Sequence, residues 1–274
     1  MSEGDVKLEL DDAARLGLQT TVIALSDTKL LLGYHYGEWT FGPPAIEAGI
    51  AACSMAQEEF GHTRLFNRIL KREFDVEIDP LNDTRTPEVF ASIAFLDRAF
   101  ESWADLVAAN VVVDQALSLM VSAFADQRFD PIVRIADKML LEERFHYAHA
   151  EGWVRLMEEQ GGAPREALRQ SLSRAIRDTS AFFGPPGHDA ALLTAGLKHT
   201  DDDALRQRLL DRLANLLQEP KAVSLTSASR GWTLAEPLNW DDWDPARRRL
   251  DRGGPDAGIL DELRGTKNVA FKTA

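Results

Sequence analysis

Two glutamate–histidine pairs stand out in the sequence because each interrupts an otherwise apolar helical stripe. Glu143 and His146 lie in EERFHYAHAEGW, and Glu59 and His62 lie in AQEEFGHTRLF. Residues three apart on an α-helix project to nearly the same side, so each pair would present a carboxylate and an imidazole together. Burying a lone carboxylate costs several kcal/mol, and two such pairs therefore predict a shared partner. Carboxylate and imidazole together suit iron or manganese.

Four long helices would have to position these pairs, according to the periodicity of the apolar residues. The segments GPP, after the first helix, and DQRFDP, before the fourth, separate neighbouring helices. Each contains proline, which fits the start of a helix and not its interior. The four helices are predicted over residues 11–38, 44–73, 87–125 and 131–159. Shorter helices are predicted over residues 164–182, 188–198 and 201–217.

The segment beyond residue 219 is rich in proline, glycine, tryptophan and charge. We expect a partly ordered tail there, packing over the bundle or over a partner. The sequence thus predicts a helical domain over residues 1–219 and a C-terminal extension over residues 220–274.

The third helix should supply a further carboxylate at the depth of Glu143. In an antiparallel helix pair, residues at the same depth are equally far from the connecting turn. Asp114 and Glu143 meet this condition about the DQRFDP turn, and Asp114 lies in the apolar run NVVVDQALSLMV. The alternative, Asp105, would place the turn inside the helical pattern. The sequence therefore predicts Asp114 as a ligand.

The same argument applied to the first helix selects Asp27. Asp27 and Glu59 are equally far from the GPP turn, whereas Glu38 would lie roughly 15–20 Å from the site at about 1.5 Å per residue. We therefore treat Glu38 as a helix-end residue. The predicted ligands are Asp27, Glu59, His62, Asp114, Glu143 and His146.

Three neighbouring polar residues have less definite roles. Glu58 and Glu142 precede the ligand glutamates and point about 100° away, so they would be solvated or would hydrogen-bond to the ligands. His149 is placed either at the surface or next to such an outer carboxylate.

The composition narrows the other possibilities. The net charge of −13 argues against a general nucleic-acid binder. The single cysteine, Cys53, excludes an intrachain disulfide and a thiolate-bound metal cluster. No run of about 18 uncharged apolar residues is present, and the acidic start MSEGDVKLELDD does not resemble a targeting signal, so we expect a cytoplasmic protein without a membrane span.

Two Glu-x-x-His helices combined with two single-carboxylate helices are the recurring arrangement of ferritin-like di-iron and di-manganese proteins. The predicted fold is therefore all-α, a ferritin-like four-helix bundle with additional C-terminal helices and an extended tail. The metal would be two iron ions, or manganese.

The order of several motifs resembles the phenylacetic-acid catabolic proteins, the ferritin-like subunits of bacterial phenylacetyl-CoA epoxidase. The similarity covers roughly residues 15 to 250 and rests on EWTFGPP, AQEEFGHTRLF, SWADLVAANVVVDQALSLM, EERFHYAHAEGW, FFGPPG, DDALRQRLLDRL and NWDDWDP. Most of these motifs are similar to the di-iron catalytic subunit of that family. The first helix, LSDTKLLLGYHYGEW, is closer to the structural subunit, and Asp27 replaces an expected glutamate.

The resemblance implies an oxygenase that uses dioxygen and external electrons to insert one oxygen atom into an aromatic or other acyl-CoA. Glu59 and Glu143 would then bridge the metals as the catalytic carboxylates. A reductase, a related structural subunit and a homo- or hetero-oligomeric assembly are the expected partners. Anchors for the coenzyme A phosphates are expected either on the second helix, at Arg64, Arg68, Lys71 and Arg72, or in the run Arg247–Arg249. The alternatives are a non-catalytic structural subunit of such an oxygenase and a ferritin-like protein that oxidises iron or handles peroxide.

Overall fold

The computed structural model of the chain describes residues 8–272, most of which are helical. The four helical arms of the bundle are α1 (Asp12–Glu38), α2 (Ile46–Ile69), the pair α3 (Trp103–Ala108) and α4 (Gln115–Phe124), and α5 (Asp130–Gln160). A π-helical segment, Ala109–Asp114, joins α3 to α4 without a break. A π-helical turn, Leu70–Phe74, extends α2. After the bundle come α6 (Gly162–Phe182), α7 (Ala190–Thr194), α8 (Asp202–Leu216), a hairpin of β1 (Leu225–Ala228) and β2 (Gly231–Leu234), and α9 (Ala257–Leu263), with short 3₁₀ helices at Pro220–Val223 and Thr266–Phe271. The predicted all-α, ferritin-like bundle is confirmed.

Close packing of α1 on α2 fixes the first hairpin of the bundle. At Gly33 on α1, an added Cβ would lie 3.1 Å from the Cβ of Glu59 and 3.0 Å from the ring of Phe60. Such distances are tighter than ordinary van der Waals contact, so the two backbones approach this closely only because residue 33 has no side chain. The approach brings the inward face of α1 against Glu59.

The third helical arm begins at Trp103, and the predicted start at residue 87 is wrong. Residues 75–102 form an irregular segment with two short 3₁₀ turns, Pro87–Val89 and Ala94–Leu96. The helix starts where Ser102 and Asp105 form a capping box, in which the Asp105 carboxylate accepts from the backbone N–H of Ser102. Asp105 therefore caps the start of the helix. The irregular segment before it packs against α1.

The α3–α4 arm is the core element of the bundle. Its stretch Trp103–Ser122 is long and apolar enough to cross a bilayer by length and composition, but 94% of that window is buried inside the protein. Its apolar side chains therefore form contacts with the surrounding helices.

The described part of the C-terminal extension packs on the helices. The hairpin β1–β2 was not predicted; its strands pair from Leu225 opposite Leu234 to Ala228 opposite Gly231. Farther along, the indole Nε1 of Trp243 donates to the carbonyl oxygen of Ala181 at the end of α6. The domain boundary at residue 219 stays a prediction.

Candidate metal centre

A buried ionic cluster lies where α1, α2, the π-helical segment and α5 meet. The ammonium group of Lys29 donates to Glu59 Oε1 at 2.9 Å, to Asp114 Oδ1 at 2.9 Å and to Glu143 Oε1 at 2.5 Å. All four side chains are at most 2% exposed. An ammonium group has three N–H donors, so each donor of Lys29 has its own carboxylate acceptor.

The two histidines flank this cluster and are held by carboxylates from opposite helices. His146 is in contact with Asp114 Oδ2 through Nδ1 at 2.8 Å and with Glu58 Oε2 through Nε2 at 2.6 Å. His62 Nε2 lies 2.9 Å from Glu142 Oε2. The contacts are crossed between the two helices: Glu58 on α2 holds His146 on α5, and Glu142 on α5 holds His62 on α2. Of the two roles left open for Glu58 and Glu142, the structure shows the hydrogen bond to a predicted ligand.

Two hydroxyl groups complete the surroundings. The buried Tyr36 hydroxyl donates to Asp114 Oδ2 at 3.3 Å, and Ser118 Oγ donates to Glu143 Oε2 at 3.3 Å. Neither residue was predicted to be near the site. Tyr36 follows Lys29 by two turns on α1, so the same face of that helix supplies both groups.

The carboxylates and cations of the cluster shift each other's proton affinities. Burial alone would lower the pKa of Lys29, but Asp114, Glu143 and Glu59 outweigh it and hold that pKa well above its usual value. Burial raises the pKa of Glu59 well above its usual range, although Lys29 opposes the shift. For Asp114, burial is outweighed by Lys29 and by His146, and the pKa lies well below its usual range. His146, despite its burial, has a pKa raised to about 11, chiefly by Asp114.

Asp27 does not join the cluster, contrary to the prediction. Arg85 donates to both of its carboxylate oxygens, at 2.9 and 2.8 Å, and the backbone N–H of Ala91 donates to Oδ2 at 3.0 Å. Two residues along an α-helix correspond to a rotation of about 200°, so Asp27 and Lys29 point to opposite sides of α1 at nearly the same depth. Glu38 is exposed at the end of the helix. At the depth of Glu59, α1 therefore presents a lysine to the cluster.

The other five predicted ligands are brought together, and their donor atoms are suited to a transition-metal ion. Glu59, Asp114, Glu143 and His146 each offer a ligand atom within 4.8 Å of the others. Glu59 Oε2 and His62 Nδ1 are buried and make no hydrogen bond among the described residues, and His62 Nδ1 lies 3.3 Å from Glu143 Oε1. Buried polar atoms are rarely left unpaired, so these two atoms are available to a ligand. Carboxylate and imidazole donors fit iron or manganese, but Lys29 places a cation where the sequence predicted a fourth carboxylate.

A cleft between α2 and α5 leads to the outer side of the cluster. Its volume is about 680 Å³, within the range of small-molecule sites. Four cationic side chains line it: Arg64, Arg68, Arg134 and Lys138. His62, Glu58, Glu142 and Met139 also line it, so the cleft reaches the carboxylates that hold the two histidines. Arg134 also contacts Asp130 at 3.2 Å, and Lys138 contacts Glu142 at 3.1 Å.

Two further expectations concern residues outside the cluster. The side chains of the run Arg247–Arg249 are buried and bind the protein itself, including the carbonyl oxygens of Phe90 and Phe182. Arg248 and Arg249 line only a small pocket of about 190 Å³, so the run is a poor anchor for coenzyme A. His149 accepts from Trp153 Nε1 at 3.2 Å and packs near Trp103. It lies with aromatic side chains and makes no hydrogen bond to a carboxylate within residues 8–272.

Lys29 is the charged residue of the cluster that sequence reasoning missed. It is the lysine of LSDTKLLLG, a cation directly before an apolar run on a helix that faces two Glu-x-x-His helices. A lysine in such a run can signal a buried ion pair, because an unpaired buried charge is costly. The sequence does not show which of the two residues, Lys29 or Asp27, faces the cluster, because both faces of α1 are apolar.

An all-helical bundle with Glu-x-x-His pairs on two of its helices defines the ferritin-like class. Within that class, the sequence model of the family described as phenylacetic acid catabolic protein matches residues 1–227, and the chain belongs to this family. Membership connects the chain with phenylacetate catabolism as a ferritin-like component. A comparison with curated proteins finds no match for this chain.

Proposed function

We propose that the chain is an acyl-CoA-binding oxygenase subunit of the phenylacetyl-CoA epoxidase type. The observation that carries this proposal is the cleft between α2 and α5, in which four cations stand above the carboxylate–histidine cluster. Coenzyme A carries several phosphate charges, and arginine and lysine are the side chains that bind phosphate. A thioester anchored in the cleft would direct its acyl end toward the cluster.

Arg64 and Arg68 are the preferred anchors among the candidates from the sequence, because they line the cleft together with Arg134 and Lys138. Lys71 and Arg72 are on the same helical arm but do not belong to the lining, and Lys71 pairs with Glu77 at 2.6 Å. The proposed anchors are therefore Arg64 and Arg68 from α2 and Arg134 and Lys138 from α5, in place of Lys71 and Arg72.

The redox chemistry requires a metal, whose ligands would come from Glu59, His62, Asp114, Glu143 and His146. When bound there, iron or manganese supplies dioxygen activation with electrons from outside. The chain's own residues would set the ligand geometry and keep water from the buried cluster. Glu58 and Glu142 would orient His146 and His62, since a carboxylate on the second ring nitrogen fixes the tautomer of a ligand histidine.

External components complete the proposed assembly. A reductase would supply electrons, and a related structural subunit, as in other phenylacetate-type oxygenases, would assemble with this chain. Exposed apolar side chains on the described surface, including Phe41, Ile46 and Ile50 near the turn between α1 and α2, are compatible with such contacts.

Binding of phenylacetyl-CoA, measured by isothermal titration calorimetry, tests the cleft. The variant Arg68→Glu/Lys138→Glu should weaken binding by about tenfold or more, because a loss of about 1.4 kcal/mol corresponds to tenfold in Kd. Arg72→Glu, an exposed change outside the lining, serves as the matched control and should leave Kd unchanged. Equal affinity of the wild type and the double variant would refute the assignment of the cleft.

Turnover is tested separately with the iron-loaded protein, a reductase and dioxygen, by mass spectrometry of the thioester product. An increase in mass by one oxygen atom that depends on the protein supports the oxygenase role. Ferroxidase turnover independent of any acyl-CoA would instead favour the iron-oxidising alternative.

One observation favours a second candidate, the non-catalytic structural subunit. Lys29 already neutralises part of the cluster charge, as expected in a subunit that has given up its metal. A chain that takes up no iron, produces no oxygenated thioester and yet forms a stable complex with a catalytic subunit would establish this role.

A further inference from the structure

Lys29 occupies the centre of the carboxylate cluster as a fully coordinated cation. Its three N–H donors reach three different carboxylates on three different parts of the bundle, and its side chain is 1% exposed. An ammonium group in this environment carries out part of a metal ion's role, because it draws together carboxylates that would otherwise repel each other. At this depth α1 is buried on both sides, by the bundle and by the segment 75–102.

The charge of the cluster decides how many metal ions it accommodates. Among the buried groups that would contact the ion, Glu59, Asp114 and Glu143 contribute three negative charges in their ionised forms, and Lys29 contributes one positive charge. Glu58 and Glu142 contact the outer side of the two histidines and are 36% and 22% exposed, so solvent screens their charges and they are not counted. One divalent ion makes the sum zero once it displaces the proton of His146, because a histidine binds a metal ion in its neutral form. Two divalent ions would leave two uncompensated positive charges in a buried site, which is unfavourable because a buried charge needs a partner of opposite sign. A fourth carboxylate in place of Lys29 would restore neutrality with two ions.

We propose that Lys29 takes the place of one of the two metal ions of a ferritin-like centre, so that the cluster of this chain is mononuclear. The inference rests on the proposed metal-dependent function and specifies how many metal ions the site holds. The resident ion uses the unpartnered atoms Glu59 Oε2 and His62 Nδ1. Glu142 accepts from His62 Nε2 and leaves Nδ1 free to bind the ion. The ammonium group of Lys29 stays bound to the remaining carboxylate oxygens.

Manganese titration of the full chain tests this arrangement, with bound metal counted by elemental analysis and its nuclearity read by electron paramagnetic resonance. The wild type should bind one Mn²⁺ per chain with the six-line signal of an isolated ion. Lys29→Glu adds the fourth carboxylate and should bind two Mn²⁺ per chain with an exchange-coupled spectrum. Leu16→Glu, which adds a carboxylate on an exposed part of α1, is the control and should still bind one.

The outcomes separate the inference from the proposed function. Two coupled ions in the wild type, or a single ion in a folded Lys29→Glu variant, would overturn the mononuclear assignment and leave the oxygenase proposal intact. No bound metal in the wild type would overturn both. If Lys29→Glu does not fold, as judged by circular dichroism, the stoichiometry and spectrum of the wild type still decide.

Discussion

At the scale of single residues, His35 is a buried imidazole near the end of α1. Its Nε2–H donates to the carbonyl oxygen of Leu96 at 2.9 Å, and its ring stacks on Phe100 with centroids 3.9 Å apart. Burial lowers the pKa of His35 to about 4, although the hydrogen bond to Leu96 opposes the shift. The folded protein therefore holds this imidazole in its neutral form.

We predict that His35 makes the protein less stable as the pH falls. Because the folded pKa is below the unfolded value of about 6.5, the unfolded chain binds more protons between these values. The contribution is complete above about pH 6.5, and roughly 3 kcal/mol is lost as the pH falls to about 4. His35→Gln retains an N–H donor and should flatten the pH dependence of the unfolding free energy measured in urea. His199→Gln, at an exposed histidine, should leave it unchanged; an unaltered slope in His35→Gln would contradict the prediction.

Lys29 and Asp27 show how two residues on one helix acquire different partners. They differ by about 3 Å in depth and by about 200° in direction. Both are buried, because the irregular segment 75–102 covers the outer face of α1 with Arg85 while the bundle covers its inner face. The covering segment, and not the helix itself, determines that the carboxylate points outward.

At the scale of elements, the crossed contacts between α2 and α5 hold the two histidines. Each Glu-x-x-His helix contributes the glutamate before its predicted ligand glutamate to the histidine of the other helix. The arrangement couples the orientation of the rings to the packing of the two helices. Displacement of one helix would therefore disturb both halves of the site.

We expect Glu142→Gln to weaken Mn²⁺ binding by about 10- to 100-fold, because the amide no longer holds His62 with a charge-assisted hydrogen bond. Metal titration at constant pH measures the effect. Glu151→Gln, on the same helix and paired with Arg155 at the surface, is the control and should bind as the wild type does. Equal affinities in the two variants would mean that Glu142 does not support a metal ligand.

The π-helical segment Ala109–Asp114 has a related role in the third arm. A π-helical turn contains an additional residue relative to an α-helical turn and changes the direction of the side chains that follow. Asp114 is the last residue of this segment and is fully buried against Lys29. Such segments are frequent at functional sites, and here it ends at the cluster.

At the scale of the whole molecule, the C-terminal extension is tied to the helices by buried ion pairs. Arg248 donates from Nε to the carbonyl oxygen of Phe182 at 2.8 Å and from its terminal nitrogen to Asp202 at 2.5 Å. Asp202 is also bound by Lys198, and the three charges are nearly inaccessible to solvent. This network connects the extension to the ends of α6 and α8.

Arg248→Ala should reduce the free energy of unfolding by about 3–5 kcal/mol, since it removes one partner of a buried ion pair. Urea denaturation followed by circular dichroism measures the loss. Arg252→Ala, at an exposed arginine four residues away, should change it by no more than about 0.5 kcal/mol. A loss of similar size in both variants would show that Arg248 does not fasten the extension to the helices.

The sequence was informative wherever a local pattern determined the structure. The helical fold followed from apolar periodicity, and the convergence of Glu59, Asp114, Glu143 and His146 followed from i, i+3 spacing and symmetry about turns. The start of α3 was misplaced because the apolar residues of FASIAFL resemble a helical pattern, whereas the Ser102–Asp105 capping box marks the true start. The hairpin at residues 225–234 was missed because its strands have only four residues each.

The sequence by itself determined most of the long helices, the depth of the site and most of the carboxylate and histidine residues that form it. Only the tertiary structure decided which side of α1 faces the cluster. Symmetry about a turn fixes the distance along a helix but not the rotation about its axis, and α1 is buried on both sides, so its apolar pattern does not distinguish them. The contact of Arg85 with Asp27 turns the carboxylate outward, and the three carboxylates of the other arms receive Lys29. A site predicted from carboxylates and histidines alone therefore contains a cation at its centre.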